Sequence, residues 1–305
     1  MADSERESIS KLRKRLENPY AYIEQLGAAA LETDTSNNLV GASRKLLENP
    51  YAYLAGNGGY EADVIQGPTH MPAVPSRWSN EQIAVKVREL HARLWRDRET
   101  LWSNAVPKDP IDLLDPAIAL EAIGFRFDLE EGLGQMPGRS GQIEVAGLID
   151  MKAKVVRVGR QFSASVRAFT AAHELGHAVL HPTLDGLHRD KPLDGSPSAA
   201  DRVEIEANKF ATLFLMPARL VRTRFSDLFQ AEPFELSEES AFALAGCSLS
   251  DFNRSQGTRR QLARVLSGAQ RYNGRHFTPL NEQFRVSREA MAIRLEELGI
   301  VPVDG

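Results

Sequence analysis

The sequence is poor in cysteine, in long apolar runs and in net charge. Cys247 is the one cysteine among 305 residues, so no disulfide can form within the chain and a reducing compartment is the simpler expectation. The first residues lack the apolar stretch of a secretory signal. The sequence also contains no run of 18 apolar residues, so it predicts no membrane span. A formal net charge of -4 argues against a whole-surface binder of nucleic acid or membrane. We therefore expect a cytoplasmic globular protein.

An internal repeat distinguishes the N-terminal quarter of the chain. Residues 13–22 (RKRLENPYAY) return at 44–53 (RKLLENPYAY) with nine of ten positions identical. Each copy predicts a short basic helix broken at Asn-Pro, because a residue before proline is pushed out of the helical region. Residues 55–77 are rich in glycine and proline, which indicates a linker. The repeat is either a docking or inhibitory peptide or a duplicated amphipathic capping element.

Beyond the linker the pattern becomes that of a folded α+β protein. Ser79 and Gln82 form a capping-box sequence, and apolar residues at helical spacing predict a helix over about 80–103. A second helix is predicted over about 116–123, ending at Gly124. Short strands are predicted near 124–128, 145–150 and 154–158. The remainder is predicted helical, with loops near 182–200, 228–236 and 271–277.

The most informative segment is residues 173–177, which read His-Glu-Leu-Gly-His. On a helix, His173 and His177 lie on one face and can bind one metal ion. Glu174 is rotated about 100° from His173 and about 60° from His177, so its carboxylate points near the ion without ligating it. A general base must lie there to accept a proton from an activated water. The alternative is a pair of core histidines, but the apolar flanks favour the metal because a buried unpaired histidine is costly.

A third ligand is expected, because catalytic zinc takes three protein ligands and keeps a fourth position for water. The helix predicted around 200–217 offers Glu204 and Glu206, which point to different sides because they are two residues apart. Glu204 shares a face with Asn208, whose amide could orient a ligand histidine. We therefore prefer Glu204 as the ligand, keep Glu206 as the alternative, and expect the other to be a solvated carboxylate.

His181 and Cys247 are weaker candidates as ligands. His181 lies about 12 Å along the helix axis from His173 at 1.5 Å per residue, too far to share an ion while the helix continues. Pro182 follows it, so a histidine favoured by the helix dipole in a last turn is the simpler interpretation. Cys247 lies in an apolar stretch and is expected in the core.

Several motifs in combination resemble the ImmA/IrrE family of metallopeptidases. They are residues 167–177 (RAFTAAHELGH), 204–211 (EIEANKFA) and 215–217 (LMP). The segment 284–299 (FRVSREAMAIRLEELG) is also similar to the closing segment of that family. The resemblance covers roughly residues 80–300, and the repeat before residue 78 is not part of the family pattern.

The resemblance implies a fold, a metal and a partner. The expected fold is α+β, a mostly helical zincin-like metallopeptidase core with a small sheet, followed by a helix-turn-helix-like helical segment. The implied metal is Zn²⁺, held by His173, His177 and the glutamate that opens Glu-x-x-Ala-Asn, which is Glu204. The implied substrate is a helix-turn-helix repressor protein encoded nearby, whose cleavage relieves repression in stress, mobile-element or anti-phage responses.

The C-terminal part has two interpretations. Residues 278–298 predict two short apolar helices joined by a turn near 285–287, a helix-turn-helix-like pattern. Charges of both signs mix there, so packing against the peptidase is favoured over reading DNA. A further basic group is either a solvated helix face or a weak contact to nucleic acid; it comprises Arg254, Arg259, Arg260 and Arg264.

We expect an N-terminal segment over 1–77, a metallopeptidase domain over 78–235 and a helical region over 236–305. The expected reaction is peptide hydrolysis with Glu174 as general base. Tyr272 and His276 are possible but weak candidates for stabilising the oxyanion. The alternatives are a DNA-binding or sensory regulator, or a toxin–antitoxin component, with a non-hydrolytic metal site. Glu174 favours the peptidase, because a structural site has no use for a base.

Overall fold

The computed structural model describes residues 78–103, 105–138, 141–183, 187–189 and 199–302. The repeat and the linker predicted before residue 78 lie outside these described residues. No helix in the described part of the chain combines the length and the apolar character that crossing a membrane would require.

The first described helix begins at the predicted capping box. Helix α1 covers Asn80–Arg96, the Ser79 hydroxyl accepts from the Gln82 amide at 3.2 Å, and the Gln82 side chain accepts from the Ser79 amide at 2.8 Å. The helix predicted to continue to 103 is interrupted at Asp97, where α2 (Arg98–Leu101) starts. Aspartate competes with helical backbone bonds, which explains a break there. A 3₁₀ turn (Pro110–Leu113) and α3 (Pro116–Ala122) follow, with Gly124 at a φ of 89°.

A four-stranded sheet lies next in the chain. Its strands are β1 (Arg126–Glu130), β4 (Gly147–Asp150), β5 (Val155–Gly159) and β6 (Leu187–Arg189), in the order β1-β5-β4-β6. Strands β1 and β5 are parallel, whereas β4 is antiparallel to both β5 and β6. A separate hairpin pairs β2 (Gln135–Gly138) with β3 (Gly141–Glu144).

The mixed α+β class is thus confirmed, and the three predicted strands appear with shifted ends. The hairpin β2–β3 was not expected, because Pro137 and two glycines mask any strand pattern in that segment. Strand β6 lies inside the loop predicted near 182–200. Three residues are too few to show an alternating pattern, and β6 exists because β4 offers it an edge to pair with.

Two long helices form the centre of the molecule. Helix α4 (Ala164–Leu180) starts at Ser163, packs on β4 and β5 with one face and on α5 (Ala199–Leu215) with another. Helix α1 packs on α5 as well. The shared apolar core includes fully buried Phe210 and Phe214 of α5 and Leu175 of α4.

The rest of the described chain is helical. Its elements are α6 (Ala218–Phe229), α7 (Glu238–Ala245), α8 (Leu249–Gln256), α9 (Arg259–Ser267), the short strands β7 (Arg271–Tyr272) and β8 (Arg275–His276), α10 (Leu280–Gln283) and α11 (Arg288–Glu297). The core continues through them to Val301. The Arg294 guanidinium of α11 donates to the Met216 carbonyl at 3.1 Å, and the Phe234 amide donates to the Ile300 carbonyl at 2.8 Å. The C-terminal helices therefore pack directly on the segment that follows α5.

The predicted helix-turn-helix-like segment contains two helices and a turn, but its role as such is not confirmed. Helices α10 and α11 flank Arg285, whose φ of 56° makes the turn. Six consecutive residues of α11, 290–295, are buried. A DNA-reading helix needs one exposed face along its length, so this burial supports the packing interpretation.

Candidate metal centre

Helix α4 carries the first two predicted ligands and the predicted base. Ser163 caps the helix by accepting from the Val166 amide at 3.4 Å. The stretch from 169 to 177 is buried without a gap, so three ionisable side chains are held inside the protein by a helix that is mostly apolar around them. His173, Glu174 and His177 are 2%, 0% and 0% exposed. Such burial is costly unless the side chains share a function or a partner.

A close approach of α4 to α5 brings the third predicted ligand to these histidines. A Cβ atom on Gly176 would lie 3.0 Å from Ala207 Cα and 3.1 Å from Phe210 Cβ, so the two helices touch where Gly176 faces Ala207. Glycine inside a helix costs roughly 1 kcal/mol relative to alanine. The close contact explains why glycine occupies this position.

Three ligand-type atoms converge at this crossing. Atoms of His173, His177 and Glu204 lie within 4.8 Å of one another, and all three residues are buried. The two Nε2 atoms are 2.9 Å apart, and Glu204 places its carboxylate oxygens 3.2 Å from His173 Nε2 and 3.6 Å from His177 Nε2. Two imidazole nitrogens and a carboxylate that face one another are a set of donors able to hold a metal ion between them.

Asn208 contacts His173 as predicted from their positions. His173 Nδ1 lies 2.9 Å from the Asn208 amide oxygen. An amide oxygen can only accept, so Nδ1 carries the proton and Nε2 keeps its lone pair for the centre of the cluster. Asn208 is itself 4% exposed, and Thr212 donates to its backbone carbonyl at 3.0 Å. The amide therefore fixes both the tautomer and the orientation of the ring.

Glu206, the alternative ligand, lies in a different set of contacts. Its carboxylate accepts from the Trp78 backbone amide at 3.1 Å and lies 3.4 Å from His181 Nε2. The Trp78 indole donates to the Leu180 carbonyl at 3.0 Å. Glu206 is 5% exposed, so it is not the solvated carboxylate that we expected. It instead links the start of the described chain to the end of α4.

The other candidates lie elsewhere. His181 is the C-terminal cap of α4, where the sequence suggested a last-turn histidine. Tyr272 packs edge-on against Phe229 and Phe234, and burial raises the pKa of its hydroxyl. His276 is exposed on β8. Cys247 is half-buried against the core.

Three features of the site were missed. Gly176 had a visible signal, since a glycine inside an apolar helix suggests close packing. Gly147, which lies against Glu174, and Trp78, which binds Glu206, had none. Those contacts join residues far apart in the chain, and residue spacing carries no information about them.

Two histidines one helical turn apart and a glutamate from a second helix are the ligand set of thermolysin-type metallopeptidases. A comparison with known protein families then shows which kind of metallopeptidase the chain resembles. Residues 129–243 match the family model Peptidase_M78, described as the IrrE N-terminal-like domain. This stretch is similar to that metallopeptidase domain, which confirms the resemblance to ImmA/IrrE proteins.

Part of the chain is also similar to a curated phage protein. The chain is 33% identical over 69 residues to the uncharacterized immunity region protein 2 of Bacillus phage phi105. The matched stretch is 22% of this chain and 41% of that relative, so the chain spans less than half of the relative's length.

Proposed function

We propose that this protein is a zinc-dependent endopeptidase of ImmA/IrrE type, acting in the cytoplasm. Its metal ligands are His173, His177 and Glu204, and its general base is Glu174. The observation that carries the proposal is the convergence of the three donor atoms within 4.8 Å at a buried helix crossing, directly beside Glu174 on α4. We also propose that residues 78–235 form the peptidase domain, flanked by the segments 1–77 and 236–305.

The donor set fits zinc. Two donors at 2.0–2.1 Å from a tetrahedral Zn²⁺ lie about 3.3 Å apart. The two Nε2 atoms are 2.9 Å apart, and the two carboxylate oxygens of Glu204 lie 3.2 Å from His173 Nε2 and 3.6 Å from His177 Nε2, which is close to that distance. Nitrogen and oxygen donors in a His₂Glu set leave one tetrahedral position for water, as catalytic zinc requires. A hard cation such as Mg²⁺ would favour an all-oxygen set instead.

In the proposed mechanism each polar residue has a separate task. Bound zinc would lower the pKa of a water and polarise a peptide carbonyl. The Glu174 carboxylate accepts the proton of the attacking water and delivers it to the leaving amine nitrogen. Asn208 keeps the proton of His173 on Nδ1, so that Nε2 remains a ligand through the reaction. The burial of Glu174 keeps bulk water away from the proton in transit.

The proposed substrate is a helix-turn-helix transcriptional repressor, whose cleavage relieves repression in a stress, mobile-element or anti-phage response. Two observations support it: the IrrE N-terminal-like domain and the likeness to a phage immunity region protein. A DNA-binding regulator or a toxin–antitoxin component with a non-hydrolytic metal site is less well supported. Helix α11, the reading helix that such a regulator would need in this segment, has residues 290–295 buried, and a non-hydrolytic site would not need Glu174.

The test is cleavage of the repressor encoded beside this protein's own gene. The purified full-length chain is loaded with Zn²⁺, incubated with that repressor, and the fragments are identified by mass spectrometry. We expect one new pair of termini from the wild type. Glu174→Gln should lower the rate by about 10²–10⁴-fold while metal content stays equal. Equal cleavage by both proteins would remove Glu174 as the base, and a gel shift with operator DNA without cleavage would favour the regulator.

A further inference from the structure

The first residue of β4 lies against the proposed base. A Cβ atom added to Gly147 would lie 2.8 Å from Glu174 Oε1 and 3.5 Å from Glu174 Cγ, and it would overlap Thr170 Cγ2. Real Cβ atoms are almost never found so close to other heavy atoms. The carboxylate of Glu174 thus packs onto the bare backbone of Gly147.

Space, and not backbone conformation, requires glycine at this position. Gly124 and Gly132 have φ values of 89° and 75°, which favour glycine for conformational reasons. Gly147 has no such angle and pairs as a regular strand residue with Val158. Any L-amino acid could adopt its backbone geometry, so the only obstacle to a side chain is what lies opposite.

The strand cannot easily withdraw from the helix. Beside Gly147, the Gly159 amide donates to the Ala146 carbonyl at 2.9 Å, and Leu148 pairs with Arg157 on one side and with Arg189 on the other. Helix α4 is fixed on its far side by the close contact at Gly176. A methyl group between β4 and α4 must therefore displace a side chain.

Both facing side chains would have to give way, Thr170 because its Cγ2 would overlap the added Cβ and Glu174 because its Oε1 would lie 2.8 Å from it. Thr170 is β-branched, buried at 5% exposure and on a helix, where its χ1 angle is restricted. Glu174 has three rotatable bonds, so its carboxylate can swing away at a lower cost. A shift of about 1 Å in a reacting group can cost about 10²-fold in rate.

We propose that Gly147 is a positioning residue for Glu174: its missing side chain lets the carboxylate lie against the start of β4, where it can serve the metal centre. This inference rests on the proposed function for its catalytic meaning. The contact itself does not, and it can be measured in the metal-free protein.

The first experiment measures that contact without metal or substrate. All variants of the full-length chain carry Thr170→Ser, which removes Cγ2 and leaves the carboxylate as the nearest neighbour of residue 147. In this background Gly147→Ala should lower the thermal unfolding midpoint by about 4–8 °C, since overpacking strains the interface. With Glu174→Ala added, the same substitution should cost less than half of that shift. Equal shifts in both backgrounds would overturn the contact.

The second experiment measures how Gly147→Ala changes kcat and KM for cleavage, with the repressor assay described above. Gly147→Ala should reduce kcat by about 10–100-fold, with KM within about threefold of wild type and zinc content unchanged. In a Glu174→Gln background it should cause no further loss, because two changes that act through one group are not additive. Loss of zinc from Gly147→Ala, or full kcat, would overturn the positioning role.

A matched control comes from the neighbouring strand. A Cβ atom on Gly159 would have as its nearest neighbours the end of the exposed Gln161 side chain and the Phe162 ring, whereas Gly147 faces Thr170 and Glu174. Gly159→Ala should keep kcat within about threefold of wild type. A loss equal to that of Gly147→Ala would show that any added methyl on this sheet has the same effect, and would overturn the proposal. If Glu174→Gln cleaves normally, the proposed function fails, yet the unfolding experiment still decides whether Gly147 contacts Glu174.

Discussion

Two groups of ionisable side chains each join a pair of helices, and they differ in how their charge is balanced. Between α4 and α5, the residues His173, His177 and Glu204 bring together electron-pair donors. Between α9 and α11, arginines and glutamates bring together both signs of charge. A group that contains its own counter-charges is complete as a structural tie, whereas a group of donors alone is suited to an added cation.

The group between α9 and α11, here called the helix tie, consists of Arg260 and Arg264 paired with Glu289 and Glu296. Arg260 donates to both carboxylate oxygens of Glu296, at 3.0 and 2.6 Å, and to Glu289 at 2.8 Å. Arg264 donates to Glu289 at 2.9 Å. Burial opposes ionisation of Glu289, but the bonds from Arg264 and Arg260 outweigh it and hold the pKa of this carboxyl below its usual value.

Contacts of this kind also show the role of the basic group found in the sequence, which comprises Arg254, Arg259, Arg260 and Arg264. Arg259 donates to the Glu296 and Val301 carbonyls at 2.8 and 3.0 Å, which ties α9 to the C-terminal end of α11. Arg254 pairs with Asp251 at 3.1 Å, and its side chain is more exposed than that of Arg264, at 80% against 47%. The arginines are thus neither a simple solvated face nor an unpaired basic stripe of the kind that binds nucleic acid.

The largest effect should come from replacing Glu204 of α5, with the same change at Glu206 as its matched control. Glu204→Gln removes a charged donor, so Zn²⁺ affinity should fall by more than about 100-fold, beyond the loss expected for an outer contact. Glu206→Gln should leave affinity within about threefold, because Glu206 binds Trp78 and His181 instead. Isothermal titration with Zn²⁺ measures both. The reverse order of affinities would assign the ligand to Glu206.

One buried histidine lies away from the candidate metal centre and serves as a comparison for it. His91 is 1% exposed, its Nε2 lies 3.1 Å from the Phe214 carbonyl, and burial lowers its pKa from 6.5 to about 4. The folded state holds it neutral, so its stabilisation is complete above pH 6.5 and is lost as the pH falls towards 4. At pH 4.5 this should remove about 2 kcal/mol of unfolding free energy relative to pH 7.

Replacing His91 shows how much of the pH dependence of the unfolding free energy comes from this residue. His91→Gln does not titrate in this range and can still donate a hydrogen bond. Urea unfolding at pH 7, 5.5 and 4.5 should show a shallower loss of stability in the variant than in the wild type. Parallel curves would mean that His91 does not gain its proton on unfolding.

The smallest effect should come from the helix tie. Arg260→Met removes a half-buried charge pair and should lower the free energy of unfolding by about 1 kcal/mol without changing Zn²⁺ affinity. Arg254→Met, at a side chain 80% exposed, should change it by less than about 0.5 kcal/mol. A drop in Zn²⁺ affinity in Arg260→Met would contradict the expectation that the helix tie has no part in metal binding.

Local signals explain which parts of the molecule could be predicted. The capping box at Ser79 and the helical spacing of His173, Glu174 and His177 are short-range patterns, and the structure contains the corresponding helices. Asn208 could be placed beside a ligand histidine because it is four residues from Glu204 on the same helix face. In each case the information lies within one helical turn.

Long-range contacts explain the rest. Strand β6 forms because β4 lies beside it, and the pairing of Glu206 with Trp78 joins residues 128 positions apart. The contact of Gly147 with Glu174 depends on how closely a sheet approaches a helix, which no periodicity expresses. Burial of α11 likewise follows from what packs around it and not from its own mixed charges.

The anchoring of Trp78 has a practical consequence for trimming this protein. In a chain cut to begin at residue 78, the backbone amide of Trp78 would become a charged ammonium group. That charge would lie against Glu206, which is two positions along α5 from Glu204. Shortened versions meant to isolate the peptidase should therefore keep several residues ahead of Trp78. Otherwise an altered zinc affinity would reflect the new terminus and would be mistaken for a regulatory effect of the residues removed.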